Sequence, residues 1–181
     1  MIVTRRFQKG DAASVADYSP CDLYRYSLTR VWDDALPRVV FVMLNPSVAT
    51  EVQNDPTVER CERRARVLGY GAFRVVNIFA FRATDPRVLK QAEAPEGPGT
   101  DAALRDAVAW AGEHGHVVAG WGAHGAHRGR GAQVARLLRD LGCAPRHLGL
   151  SKAGHPRHPL YIAYAQQPEA WDPEALAALI G

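Results

Sequence analysis

Four short stretches of this 181-residue chain carry side chains that chemistry would need. They are Asn45-Pro46-Ser47, the run from Asn77 through Phe79 to Arg82, Trp121-Gly122, and His155-Pro156-Arg157-His158. An asparagine amide presents a donor and an acceptor side by side, so it can read the edge of a nucleobase. Arginines and the N–H groups at a helix start hold phosphates. An aromatic ring such as Phe79, Phe81 or Trp121 can stack on an extruded base. A histidine beside such a site can donate to a departing base anion. Taken one at a time, these stretches are also ordinary loop chemistry, because Asn, Pro and Gly are what turns use. The functional signal is that all four follow apolar runs.

Other chemistries find less support. Gly120-Trp121-Gly122-Ala123-His124-Gly125 fits the spacing GxGxxG after a strand. A bulky Trp separates its first two glycines, and Asp140, about twenty positions on, lies at a helix end rather than a strand end. Glycines placed for a tight turn and close backbone approach are the better reading. His124 and His127, and His155 and His158, have HxxH spacing, but Pro156 and Pro159 break any helix that would align the second pair. No acidic residue completes a catalytic zinc arrangement, so no metal is expected. Ser47 and Ser151 lack a nucleophile elbow, Cys61 falls on the core face of a helix, and no P-loop occurs.

The elements that must position these residues alternate. Tyr24–Trp32 reads as a strand, and Arg38–Leu44 as a strand buried on both faces. Asp55 with Pro56 opens a helix carrying Val58, Cys61, Ala65 and Leu68, stopped by Gly69. Phe73–Ala80 is a second buried strand. Glu93–Gly99 is a surface loop, after which Thr100 caps a helix. His116–Trp121 is a third buried strand. A glycine-rich turn, Gly122–Gly131, leads into a helix with Val134, Leu137, Leu138 and Leu141. Arg146–Leu150 is a fourth short strand, and Asp172-Pro173 caps a last helix ending at Ile180. This order predicts an α/β protein: a three-layer α/β/α sandwich around a central, mainly parallel sheet, with ligands bound beyond the carboxyl ends of the strands. Residues 1–181 are expected to form a single domain.

Composition sets the bounds. Hydrophobic residues make up 47% and charged residues 23%, which excludes wholesale disorder. The net charge of +3 permits an anionic partner without demanding one. Its distribution says more: arginines crowd Arg60–Lys90 and Arg128–Arg157, and all seven histidines lie between His114 and His158. The longest apolar run, Val39–Leu44, is far short of a bilayer span, so no membrane association is expected. Three widely spaced cysteines and no secretory signal fit a cytoplasmic location.

The loops resemble, in order and spacing, those of the uracil-DNA glycosylase superfamily over about Arg38–Leu160. Leu44-Asn45-Pro46-Ser47 resembles that group's first motif. Asn77 with Arg82 resembles the second, Val117–Gly122 the third, and His155-Pro156 the last. The strings Asn45-Pro46-Ser47, Asp55-Pro56-Thr57, Asn77 through Asp85 and His155 through Tyr161 more closely resemble a bacterial domain family of unknown function. The superfamily resemblance implies a glycosylase-like fold and a DNA base glycosylase activity without a cofactor. Asn45 would place the attacking water, Asn77 would read the base edge, and His155, or alternatively His158, would stabilise the leaving base. Pro46, Ser47, Phe79, Arg82, Trp121, Gly122 and Arg157 would line the substrate site. Met43 stands where a glycine is usual, and no Ser-Pro follows His155-Pro156. Three readings therefore stay open: a glycosylase acting on DNA, a non-catalytic module binding nucleic acid or a nucleotide, and an enzyme acting on a free nucleotide or another small anion.

Overall fold

The computed structural model describes residues 1–181. Its centre is one eight-stranded sheet. In chain order the strands are β1 (Val3–Lys9), β2 (Ala12–Tyr18), β3 (Arg25–Val31), β4 (Arg38–Met43), β5 (Ala72–Asn77), β6 (His116–Ala119), β7 (Arg146–His147) and β8 (Glu169–Ala170). They lie side by side as β1-β2-β3-β5-β4-β6-β7-β8. The helices are α1 (Pro56–Val67), α2 (Pro86–Gln91), α3 (Thr100–Ala111), α4 (Arg130–Asp140) and α5 (Pro173–Ile180).

The expectation of a mainly parallel sheet is corrected. Only β5-β4-β6-β7 is parallel, and four of the seven pairings are antiparallel. The difference comes from the N-terminus, where β1 and β2 form a hairpin that extends onto β3. Gly10, at φ +60, occupies the first central position of its two-residue turn. Neither strand announces itself by hydrophobicity: β1 reads VTRRFQK, and the inward side of β2 is Ala12, Ser14, Ala16 and Tyr18. A short β8 closes the other edge antiparallel to β7.

Helices cover both faces. On one, Val58, Cys61 and Ala65 of α1 pack on Val39, Phe41, Phe73 and Val75. On the other, Leu104 and Ala107 of α3, Val134 and Leu138 of α4 and Leu176 of α5 pack on Val40, Val42 and Val76. The alternation of β4 and β5 supplies both cores from the same strands, since successive side chains point to opposite faces.

Asp55 caps α1 as expected, accepting from the Val58 N–H at 2.8 Å, with Pro56 in the first turn. Asp172 does the same for α5. Thr100 does not cap α3. That position belongs to Gly99, whose α-carbon lies too close to the Tyr26 ring for a side chain, and the Thr100 hydroxyl donates to the Glu96 carbonyl. The glycine-rich turn after β6 folds into a 3-10 segment, Ala123–Gly129. No helix is long and apolar enough to cross a membrane.

Candidate functional site at the carboxyl ends of β4 and β5

The parallel register brings Met43 opposite Asn77, so the Asn45 and Asn77 loops leave the sheet side by side. They are stitched together by Ile78 N–H to Met43 O, Phe79 N–H to Leu44 O and Ala83 N–H to Pro46 O. Asn45 clamps this crossing: its Nδ2 donates to the carbonyls of Pro46, Phe81 and Ala83, at 3.0, 3.4 and 2.7 Å. Its Oδ1 takes no bond from the chain. Pro46 is buried, and Ser47 exchanges a hydroxyl contact with Thr84 at 2.9 Å.

Asn77 lies on the face of β5 that carries Phe73 and Val75, the α1 side. It is 4% exposed, and its Oδ1 is buried with no hydrogen-bond partner. Native proteins leave few buried acceptors unpaired, and each such group needs a reason. Past the neighbouring strand end Gly120 lets Met43 Sδ and Pro159 pack close to the backbone. Pro159 begins a short 3-10 helix, Pro159–Tyr161, that His158 caps: His158 Nδ1 accepts from the Leu160 N–H at 3.2 Å. This places the His158 proton on Nε2. Burial holds its pKa below the ordinary histidine value, with Asp55 pulling the other way, so the ring is neutral at pH 7.

His155 and Trp121 are elsewhere. Trp121 is 1% exposed and belongs to the core under α4 and α5, against the Trp171 ring. Its Nε1–H donates to His155 Nδ1 at 3.1 Å. Gly125 and Gly131 are glycine because a β-carbon at either would meet the Trp121 indole. The close approach read from the glycine pattern is therefore made to a tryptophan. Neither Trp121 nor Phe79, which is 0% exposed, presents a face for a base to stack on, and both stacking assignments are corrected. Gly122, at φ +72, donates its N–H to Pro156 O and holds the His-Pro loop to the sheet. Arg157 is exposed, its side chain lying along Gly149. Arg82 pairs with Asp22 at 3.1 Å, not with Asp55 or Asp85, and stands 5.3 Å from the Tyr18 ring centroid. The proposed gathering of Asn45, Asn77, Trp121 and His155 is thus split. Asn77 and His158 share the α1 side, while Trp121 and His155 lie toward α4.

Residues missed in the sequence complete the α1 side. Arg25 is 1% exposed and donates from Nη1 to Ala49 O at 2.7 Å. Arg30 donates to Thr50 O and Asn54 Oδ1. The Tyr18 hydroxyl donates to Glu51 Oε2 at 2.9 Å. The available signal was two arginines in the strand RYSLTRV, but they stand five apart and would face opposite sides of a regular strand. The register shift at Asp17/Tyr18 pairs Arg25 with Tyr18 and turns it to the α1 side as well. No group of three or more His, Cys, Asp or Glu side chains is placed to hold a metal. Two surface cavities, of about 410 and 440 Å³, open at the opposite end of the sheet, near His116 and Arg38.

Four histidines, His116, His147, His155 and His158, have their pKa values lowered chiefly by burial. The folded-state values lie below the unfolded value of about 6.5, so the unfolded chain binds more protons between the two. Their contribution to stability is complete above about pH 6.5 and is lost as pH falls through the folded-state values. The melting temperature is expected to drop on acidification from about pH 7 to 5, with protons taken up on unfolding. Calorimetry at about pH 6 in buffers of different ionisation enthalpy checks this, and unfolding without proton uptake would refute it.

No curated protein and no solved structure matches this chain. Residues 25–160 match the model of DUF1643, a protein family of unknown function. The matched span opens on the buried Arg25 and closes just beyond His158, enclosing every residue assigned above to the β4–β5 site except Tyr18, and the chain belongs to that family.

Proposed function

We propose that this chain is a hydrolase of the uracil-DNA glycosylase type, cleaving the N-glycosidic bond of a damaged or modified base in DNA. The observation that carries the reading is Asn77. A buried acceptor with no partner costs about 1–3 kcal/mol, and the edge of a base offering an N–H would satisfy it. Asn45, clamped through Nδ2, turns its free Oδ1 to a water and orients it by accepting one hydrogen. Water adds to C1′ of the sugar as the C1′–N bond breaks, the base takes the bonding pair, and the proton released by water ends on the base or in solvent. His158, neutral with its proton on Nε2, donates to the base as negative charge develops there. His158 takes this role in preference to His155, because it stands on the same side of the sheet as Asn77. The resemblance of the loops to the glycosylase motifs supports the assignment, and no cofactor is needed.

A second reading, recognition of nucleic acid or a nucleotide without cleavage, is favoured by Asp55. Both of its carboxylate oxygens accept backbone N–H groups, from Val58 and Ala49, which commits this carboxylate to holding its loop and the start of α1. Incubation with a panel of DNAs carrying single modified bases separates the two. Release of at least one base is expected, with Asn77→Ala and His158→Ala each slowing it about 100-fold while leaving the fold intact. If the folded wild-type chain releases none, cleavage is withdrawn. The binding reading then requires DNA affinity that falls steeply with salt.

A further inference from the structure

Three arginines are essentially fully buried on the α1 side, Arg25, Arg30 and Arg64, and none forms a salt bridge within 4 Å. Two of them have visible structural work. Arg64 donates to the carbonyls of Ile162, Ala163 and Gln166, and Arg30 ties β3 to Thr50 and Asn54. Arg25 differs. A guanidinium has five N–H bonds to place, and this one has a single acceptor in the chain, the Ala49 carbonyl. Its Nε is buried and unpaired, as are the Arg64 Nε and the Arg30 Nε and Nη1, but those two side chains each hold two or more acceptors. Asp55 supplies the largest favourable charge, but each of its oxygens already accepts a backbone N–H, from Ala49 and from Val58 of α1. Burial pulls the Arg25 pKa down only to about 10, so the cation persists at neutral pH. Arg82 adds to the positive field, and the Tyr18 hydroxyl is turned to Glu51.

Arg25 also stands in the right place. The β3–β5 register sets Leu28 opposite Val75, and the Arg25 N–H bonds to Ala80 O at 3.0 Å. The residue therefore flanks the segment that begins at Asn77, whose unpaired Oδ1 lies on the same side of the sheet. A cationic fork with a single acceptor and an unpaired acceptor are thus both buried at the strand ends, on one face of the sheet.

We propose that Arg25 is an oxyanion-binding residue, and that its guanidinium takes the phosphate of the nucleotide whose base Asn77 reads. This rests on the base-recognition reading above and adds the ligand's charge and its anchor. A planar fork matches phosphate geometry, and charge-assisted bonds strengthen where water is excluded. The phosphate belongs either to a free nucleotide or to a DNA strand, and the two are told apart by titration.

The test is calorimetric titration of the full chain with the four 2′-deoxynucleoside 5′-monophosphates, the matching deoxynucleosides, inorganic phosphate and a short single-stranded deoxyoligonucleotide. At least one phosphate-bearing nucleotide probe is expected to bind about tenfold or more tighter than its nucleoside. Arg25→Met is expected to erase that difference without lowering the melting temperature, because it removes a buried and largely unpartnered charge. Arg25→Lys keeps the charge but not the fork, and recovers only part of the discrimination. Tighter binding of the monophosphate assigns a free nucleotide, and tighter binding of the oligonucleotide assigns a strand. Either result supports the proposal once Arg25→Met abolishes it. Three results overturn it: no phosphate-bearing probe binds, Arg25→Met binds as well as wild type, or Arg25→Met unfolds while Arg25→Lys restores both fold and full affinity. Nucleotide binding lost in Arg25→Met without any base release retires only the cleavage step. Base release indifferent to Arg25→Met retires only this inference.

Discussion

Trp121→Ala is expected to cost about 3–5 kcal/mol of stability, enough to leave much of the chain unfolded at 37 °C. The indole is almost completely buried, fills the space that Gly125 and Gly131 leave open, and touches the Trp171 ring beside α5. Its removal empties a cavity between β6, α4 and α5 that small neighbours cannot refill. Trp121→Phe separates packing from hydrogen bonding. It keeps a ring in the core, at a cost of about 1–2 kcal/mol for lost volume and the lost donor. It also removes the N–H that fixes His155 with its proton on Nε2. The His155 pKa is expected to move in Trp121→Phe, read by NMR of the imidazole, while His158 titrates as before. Should Trp121→Ala melt with the wild type, the core assignment fails and a surface role for Trp121 returns.

The second large effect is expected at Arg64. This α1 side chain is completely buried and reaches about a hundred residues along the chain to three carbonyls, at 2.9 to 3.1 Å. Arg60 assists from the previous turn, donating to Ile162 O and lying 4.3 Å from the centroid of the Tyr164 ring. Bonds to a charged donor contribute about 1.5–3 kcal/mol each, and buried carbonyls left behind are costly, so Arg64→Ala is expected to lose about 3–5 kcal/mol. The loss is local in origin. Segment 159–166 loses its anchor on α1, and with it the 3-10 turn that His158 caps. Limited proteolysis is expected to cut first in this segment, where Tyr161 is already exposed. Unchanged melting together with an unchanged cleavage pattern would show that the anchor lies elsewhere.

Much of the architecture was legible in the sequence where apolar patterning was dense. VVFVM, FRVVN and HVVA gave buried strands, and Asp55-Pro56 and Asp172-Pro173 gave helix starts, because these features depend on local physics alone. The β1–β2 hairpin was not legible. Its strands are polar or small-residued, and their place is set by pairing to β3. The same holds for the site. Asn77 was legible as an unusual residue at the end of an apolar strand. Trp121 was misjudged because a strand end does not reveal which side of the sheet its ring enters. Arg25 was invisible because an arginine in a strand reads as solvent-facing until the neighbouring strand is known.

The two margins of the sheet differ in kind. β1 runs seven residues along an open margin, mostly exposed on both faces, with Arg5, Arg6 and Lys9 along it. A second copy pairing there in antiparallel fashion would bring cations against cations, which opposes docking. At the far margin β8 offers only two residues before the chain turns into α5, too little ladder to nucleate growth. Repulsion guards one flank and brevity the other. Neutralising Arg5 and Arg6 would therefore remove a safeguard against fibrous self-association that no residue of the candidate β4–β5 site provides.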